Sequence, residues 1–193
     1  MEKIIEVFNN ITPLGDKDRA SLFEILHTRI LGKGDYWIRE GKKNDHIAFI
    51  EKGYLRKFYL KEGAEITDFF YFDNDFSADL PSILGNTNPT ASIIAMQKTT
   101  LTSFSYHEFN KLCRQSAALE HLHRLMIESS FLRFYKRSVS FILQTPKERY
   151  DDLIISYPNV FLNAAQYHIA SYLGISPQHL SRLRSQKAIS SQM

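Results

Sequence analysis

Apolar residues open the chain at helical spacing: Ile4, Ile5, Phe8 and Ile11 stand among polar neighbours, and after Thr12-Pro13-Leu14 a second such pattern runs from Asp16 to Leu26. Two short helices are predicted. From Thr28 to Phe104 the period changes to short runs rich in β-branched and aromatic residues, cut by Gly32, Gly34, Gly41, Gly53, Gly63 and Gly85. These predict strands at Tyr36–Arg39, His46–Glu51, Tyr54–Leu60, Glu65–Phe72, Ala91–Ala95 and Thr100–Ser105. Several short strands so spaced favour a barrel or jelly roll over a parallel sheet. Glu51-Lys52-Gly53 and Lys61-Glu62-Gly63 are the expected hairpin tips, because glycine takes positive φ without strain.

Helical chemistry returns at Tyr106. A short helix is expected around His107–Gln115 and a long one from about Ala117 to Gln144, with no proline before Pro146. Along it Leu119, Leu122, Met126, Ser129, Leu132 and Lys136 fall three or four residues apart, a stripe that can seat a twin helix. Packing of that stripe on the chain's own β-domain is the alternative, and the polar Ser129 and Lys136 weaken a coiled-coil pattern. Thr145-Pro146 breaks the helix and starts another, Pro146–Ser156, which stops at Tyr157-Pro158. Asn159 to Asn163 form a connector.

The stretch from Gln166 to Ser185 has the pattern of two crossed helices. Ile169, Leu173, Ile175, Leu180 and Leu183 are apolar, Ala170 is small enough for close approach, and Gly174 can close the first helix in the left-handed region. Ser176 caps the second helix and Pro177 fits its first position. Gln178, His179, Ser181, Arg182 and Ser185 are left on the outer face, where their side chains can bond base edges or phosphates. This is the composition of a helix-turn-helix with its recognition helix; two helices that merely pack a small domain are the alternative. The eight residues beyond Ser185 leave Lys187 and a few serines for any further contact, with no room for a strand pair.

Composition narrows the class. In 193 residues, 44% apolar content and 13% aromatics are enough to fill one large or two small cores, which excludes disorder. A net charge of +3 permits nucleic acid without requiring it. The lone Cys113 excludes an intramolecular disulfide and any four-cysteine cluster from one chain, and it points to a reducing compartment. The start has no basic region followed by a long apolar run, and no stretch reaches membrane-spanning length, so a cytoplasmic protein with no membrane association is expected.

A jelly-roll-like domain, a long helix and a C-terminal helix-turn-helix together resemble the Crp/Fnr family of bacterial transcription regulators. The residues that carry the likeness are LGKGDYWIREGKKNDHIAFIEKGYLRKFY early and YHIASYLGISPQHLSRLR late. The resemblance implies an α+β fold: an N-terminal β-roll (a double-stranded β-helix, cyclic-nucleotide-binding-like) over residues 1–116, a long dimerisation helix over 117–144, and a DNA-binding domain over 145–193. It implies a homodimer on near-palindromic double-stranded DNA, and RNA polymerase as a further partner where binding activates transcription. Arg182 matches a DNA-contacting arginine of the family and is the first choice for a guanine, followed by Gln178 for an adenine. Gln166, Tyr167, Ser176, His179, Ser181, Arg184 and Ser185 complete the expected contact set. Pro177 and Gln178 replace the first-turn arginine and following glutamate of the best-known member type, so its target sequence does not carry over.

The expected effector site also departs from the family. Cyclic-nucleotide binders carry Gly-Glu and, further on, Arg-Ser or Arg-Thr, for the ribose hydroxyl and the cyclic phosphate. Here Ala78-Asp79 and Pro89-Thr90 stand in those places, within a candidate pocket of Ala78, Asp79, Leu80, Pro89, Thr90 and Ala91. A buried phosphate needs a fixed cation or aligned N–H donors, and proline supplies neither. Cyclic AMP is therefore expected to bind poorly; another small-molecule effector and a ligand-free pocket both stay open.

No cofactor, metal or catalytic group is expected. His121 and His123 point in different directions on a helix, nothing singles out a haem ligand, and Phe69 to Phe72 read as barrel core. Asp68, Asp73, Asp75 and Asp79 have the spacing of loops and strand ends. The rival class is a ligand-binding jelly roll, a sensor or a metal enzyme, whose helical C-terminal part does not bind DNA. Such enzymes hold their metal with clustered His and Glu on strands, and His46 is the only histidine within a predicted strand.

Overall fold

Two four-stranded sheets with the strand orders β1-β8-β3-β6 and β2-β7-β4-β5 carry the N-terminal part of the chain. Their strands are β1 (His27–Leu31), β2 (Tyr36–Ile38), β3 (His46–Lys52), β4 (Leu55–Lys61), β5 (Ala64–Tyr71), β6 (Phe76–Ser77), β7 (Ser92–Ala95) and β8 (Thr99–Ser105). The computed structural model describes residues 1–190, with side chains through Gln186. Strand β8 lies antiparallel between β1 and β3, in registers that pair His27 with Ser103 and His46 with Ser105. The paired sheets form the β-roll that the resemblance implied, in keeping with the barrel or jelly roll expected from the strand spacing.

Two helices precede the roll, α1 (Glu2–Ile11) and α2 (Asp16–Ile25). A short α3 (Leu80–Gly85) interrupts it, and α4 (Tyr106–Cys113) and α5 (Ala117–Leu143) follow. The core forms where these meet the sheet. Ile4 and Phe8 of α1, Leu22 of α2, Phe49, Phe104, Phe109, Leu119 and Leu122 make one buried cluster. Within it the Phe8 ring stacks on Phe76 at 5.5 Å and meets the edge of Phe104 at 6.1 Å. Removing such rings from water contributes roughly 1.5–3 kcal/mol each, which is why the apolar faces of α1 and α2 stay on the roll.

The two expected hairpin tips have different outcomes. Lys61-Glu62-Gly63 does join β4 to its neighbour β5, with Glu62 at φ 53 and Gly63 at φ 80, the two positive values of a type I′ turn. Glu51-Lys52-Gly53 is no hairpin: β3 and β4 lie in different sheets, so this turn carries the chain across the roll. Gly53 has φ 118, and a Cβ there would lie 2.8 Å from the Thr99 Cα, so the crossing strand needs glycine. β1, β6, α3 and the short α7 (Val160–Asn163) were not anticipated. In β1 the side chains of His27 to Ile30 are all exposed, which leaves no alternation to read.

The stripe expected along α5 divides. Leu119 and Leu122 are buried in the chain's own core and Met126 packs against it, as the alternative held. Further along, Leu132 of the stripe is 53% exposed, and Phe131 and Phe134, which lie outside the stripe, are 62% and 60% exposed. The helix ends at Leu143, and Thr145 starts α6 (Pro146–Ser156) with a capping box in which its hydroxyl accepts the Glu148 N–H and the Glu148 carboxylate accepts the Thr145 N–H. The last two helices are α8 (Gln166–Leu173) and α9 (Pro177–Ser190).

The chain forms two compact units: residues 1–57 with 70–131, and residues 58–69 with 132 onward. Their limits fall inside α5 and inside the β4–β5 hairpin. In the second unit β5 meets α8 directly, the Thr67 N–H donating to the Ser171 hydroxyl at 2.9 Å.

Candidate nucleic-acid interface

Helices α8 and α9 meet through Ile169, Ala170, Leu173, Leu180 and Leu183, all buried. The turn between them follows from Gly174, whose φ of 68 closes α8 while its N–H bonds back to Ala170 and Ser171; the Ile175 N–H returns to the Ala170 carbonyl at 3.0 Å. The Ser176 hydroxyl then accepts the His179 N–H at 3.2 Å, and Pro177 begins α9. Each local choice matches the sequence pattern.

With Leu180 and Leu183 turned inward, Gln178, Ser181, Arg182 and Ser185 fall on one exposed face of α9. The remaining expected contacts are distributed around it. His179 is half-buried, and Arg184 is exposed with its guanidinium 5.8 Å from the centre of the Phe161 ring. Ser185 donates its hydroxyl to the Ser181 carbonyl at 3.1 Å, which leaves oxygen lone pairs but no free proton for a ligand. At the start of α8, Gln166 and Tyr167 are exposed and no side chain caps the helix, while the His168 N–H bonds to the Ala165 carbonyl at 3.0 Å. The side chain of Lys187 lies outside the described residues. Charge favours the same region: from residue 132 on, eight Lys and Arg stand against three Asp and Glu, a net of +5 in a chain whose total is +3.

Two arginines that the sequence reading passed over hold this unit from behind. Arg149 donates through Nε and Nη2 to the Leu173 carbonyl at 3.2 and 3.1 Å, and Arg137 donates to the Tyr172 carbonyl at 2.5 Å. Burial lowers the Arg137 pKa from its ordinary value; Tyr172 and Asp68 oppose that shift and the nearby Arg149 adds to it. No local motif marks either residue, because their partners are backbone carbonyls 24 and 35 positions away.

The positions expected to form an effector pocket are largely filled from within. Asp79 is buried, and one carboxylate oxygen lies 2.9 Å from the Lys57 Nζ, itself buried. The Asp79 carbonyl accepts the Ser82 N–H and hydroxyl at the start of α3. Ala78 and Leu80 are half-buried, Pro89 and Ala91 are buried, and Thr90 faces outward. The Pro89 carbonyl is used by the Gly41 N–H at 2.9 Å. A cyclic nucleotide needs an acid available to its ribose and a cation or N–H at its phosphate. Here the acid already has a cation, and residues 89 and 90 offer no charge.

Among the described residues, no group of three or more His, Cys, Asp and Glu is placed to hold a metal ion, and no helix is long and apolar enough to cross a membrane. His121 is exposed while His123 lies against Tyr106 and Phe109, so the two histidines point apart.

Residues 28–116 match the cyclic nucleotide-binding domain family. Over most of its length the chain also has the architecture of solved regulators. FixK2 from Bradyrhizobium japonicum aligns with a TM-score of 0.75 at 14% identity, covering 86% of each chain. A putative transcriptional regulator of the Crp/Fnr family from Eubacterium rectale aligns with a TM-score of 0.69 at 17% identity, covering 92% of this chain and 85% of that one. For the catabolite activator protein of Thermus thermophilus the values are 0.55, 16%, 92% and 85%. No curated protein matches the chain by sequence. The fold is that of Crp/Fnr-type regulators, a cyclic-nucleotide-binding β-roll followed by C-terminal helices, as the sequence resemblance implied.

Proposed function

We propose that the chain is a sequence-specific, DNA-binding transcriptional regulator that acts as a homodimer and does not respond to cyclic AMP. The observation that carries this reading is the row Gln178, Ser181, Arg182 and Ser185 on the open side of α9, opposite the sealed Leu180 and Leu183. In a major groove such a row reads base edges. The Arg182 fork suits the O6 and N7 of guanine and the Gln178 amide suits adenine, each worth about 1–3 kcal/mol of discrimination. Gln166, Tyr167 and Arg184 take phosphates, which fix register without reading sequence.

An exposed face of α5 supports the homodimer. Ile127, Phe131, Phe134 and Ser138 recur at spacings of four, three and four, and both rings are more than half exposed. A second copy laid along this face removes that apolar surface from water and relates two recognition helices by a twofold axis, which calls for a near-palindromic operator. The Lys57–Asp79 pair supports indifference to cyclic AMP, since displacing it strands one buried charge.

Selection of bound duplexes from a random DNA pool, followed by mobility shift with the wild type and Arg182→Ala, tests the reading. A near-palindromic consensus, with discrimination reduced at one base pair per half-site in the variant, is the expected result. Equal binding by both proteins without sequence preference rejects it, and micromolar cyclic AMP binding in calorimetry rejects the effector part.

A further inference from the structure

The C-terminal ends of α5 and α8 both expose carbonyls that no helical N–H can reach, and each end carries the negative pole of its helix. One guanidinium serves both. Arg149, from α6, donates Nη1 to the Gln144 carbonyl at 2.6 Å and more distantly, at 3.5 Å, to the Ser140 carbonyl that the Gln144 N–H also reaches, while Nε and Nη2 converge on Leu173. Arg137, from α5 itself, reaches the neighbouring Tyr172 carbonyl and lies 3.7 Å above the Tyr172 ring. Between the two arginines is Phe141, whose ring is 4.5 Å from one guanidinium carbon and 4.8 Å from the other. The edge of that ring lies against the helix-helix turn, for a Cβ on Gly174 would lie 2.8 Å from Phe141 Cε1.

From these contacts we infer that Arg149, seconded by Arg137, is a positioning residue for DNA recognition: it locks the α8–α9 turn to the end of α5 and so fixes the angle at which α9 presents Arg182. The inference rests on the DNA-binding reading above and adds the device that aims it. Arg182 lies five residues into α9, about 7.5 Å along its axis, so a tilt of about 10° at the turn moves it by roughly 1 Å, beyond the ~0.5 Å that a well-made site tolerates. Contacts with phosphate are less exacting, because they depend on charge more than on aligned forks. Loosening the clamp therefore costs sequence discrimination before it costs general affinity. Lysine cannot replace Arg149, since a single ammonium at the end of a flexible stem has no planar fork to span two helix ends.

The test uses the full chain. Fluorescence anisotropy compares a duplex selected from the random pool with a scrambled duplex of the same length, for the wild type, Arg149→Lys and Arg149→Met. Circular-dichroism melting and solution mass are measured beside it. The lysine variant keeps the charge and should bind the scrambled duplex as the wild type does, while its affinity for the selected duplex falls on the order of tenfold. The methionine variant should lose at least as much of the ratio between the two. Where methionine prevents folding, the lysine variant alone decides. An unchanged ratio in a folded variant, or equal weakening on both duplexes, overturns the positioning role. A wild type that itself shows no preference between the duplexes rejects the DNA-binding reading, and the clamp's role with it.

Discussion

Lys57 Nζ stands 2.9 Å from a carboxylate oxygen of Asp79, and both side chains are almost wholly buried in the roll. The pair joins β4 to the loop that leads into α3. A charge buried with a partner is tolerated, whereas the same charge alone is not.

Removing one partner should therefore do far more damage than removing both. Asp79→Ala is expected to destabilise the roll by about 3–5 kcal/mol, while the joint change Lys57→Met with Asp79→Leu should be close to neutral. Urea unfolding of the three proteins measures this. Similar losses for the single and the double variant would mean that the pair's geometry, and not the stranded charge, matters.

His123 gives the roll an acid-sensitive seam. Its ring meets the Tyr106 ring at 5.4 Å and the Phe109 ring at 5.7 Å, and its Nε2 is buried without a hydrogen-bond partner. Burial, the largest influence, holds its pKa below 6.5, with Glu120 opposing. Between that depressed value and 6.5 the unfolded chain binds more protons than the folded one. Stability from this group is thus complete above pH 6.5, declines as the pH falls toward the folded value, and is level below it. In His123→Phe the urea midpoint should lose that part of its decline between neutral and mildly acidic pH. An identical pH profile in the variant would assign the decline to other groups.

The turn chemistry and the helix pattern of the α8–α9 pair were legible because they are local. Gly174, Ser176 and Pro177 each determine their own few residues of backbone, and the alternation of Leu180 and Leu183 with polar neighbours decides which side of α9 is open. The outer face could be read for the same reason. What the sequence did not reveal are relationships between distant positions. Lys57 reads as an ordinary strand lysine until Asp79 is folded against it, and the Arg149 fork has meaning only once the ends of α5 and α8 lie together. The crossing at Gly53 was misread because a glycine turn between two strands looks the same whether the strands pair or part. In α5 the periodicity was correct but could not say where the helix leaves its own core, since Leu122 and Leu132 fit one stripe and lie in different surroundings.

Two exposed rings of α5 beside that stripe set the next expectation. Phe131→Lys with Phe134→Lys places two charges where a second helix would pack, at positions already open to solvent in the single chain. The fold of each unit should be preserved, whereas sedimentation should give the mass of one chain instead of two. Binding to a palindromic duplex should weaken by about 10²-fold or more, because the second half-site is no longer delivered by the same particle. A variant that stays dimeric would move the interface away from this face of α5.

Gly174 joins two requirements that can be separated by experiment. Its φ of 68 is costly for any residue with a Cβ, and the added carbon would also lie 2.8 Å from the Phe141 ring. The backbone part of Gly174→Ala should cost about 1–2 kcal/mol and the collision more on top of it. Phe141→Leu alone trims the ring and weakens its contacts with Arg137 and Arg149. Combined with Gly174→Ala it should be less destabilising than the sum of the two single changes, since the smaller side chain makes room for the methyl. Thermal or urea unfolding of the four proteins closes this cycle. Strict additivity would show that the ring gives way freely, leaving the backbone conformation as the whole reason for glycine at the turn.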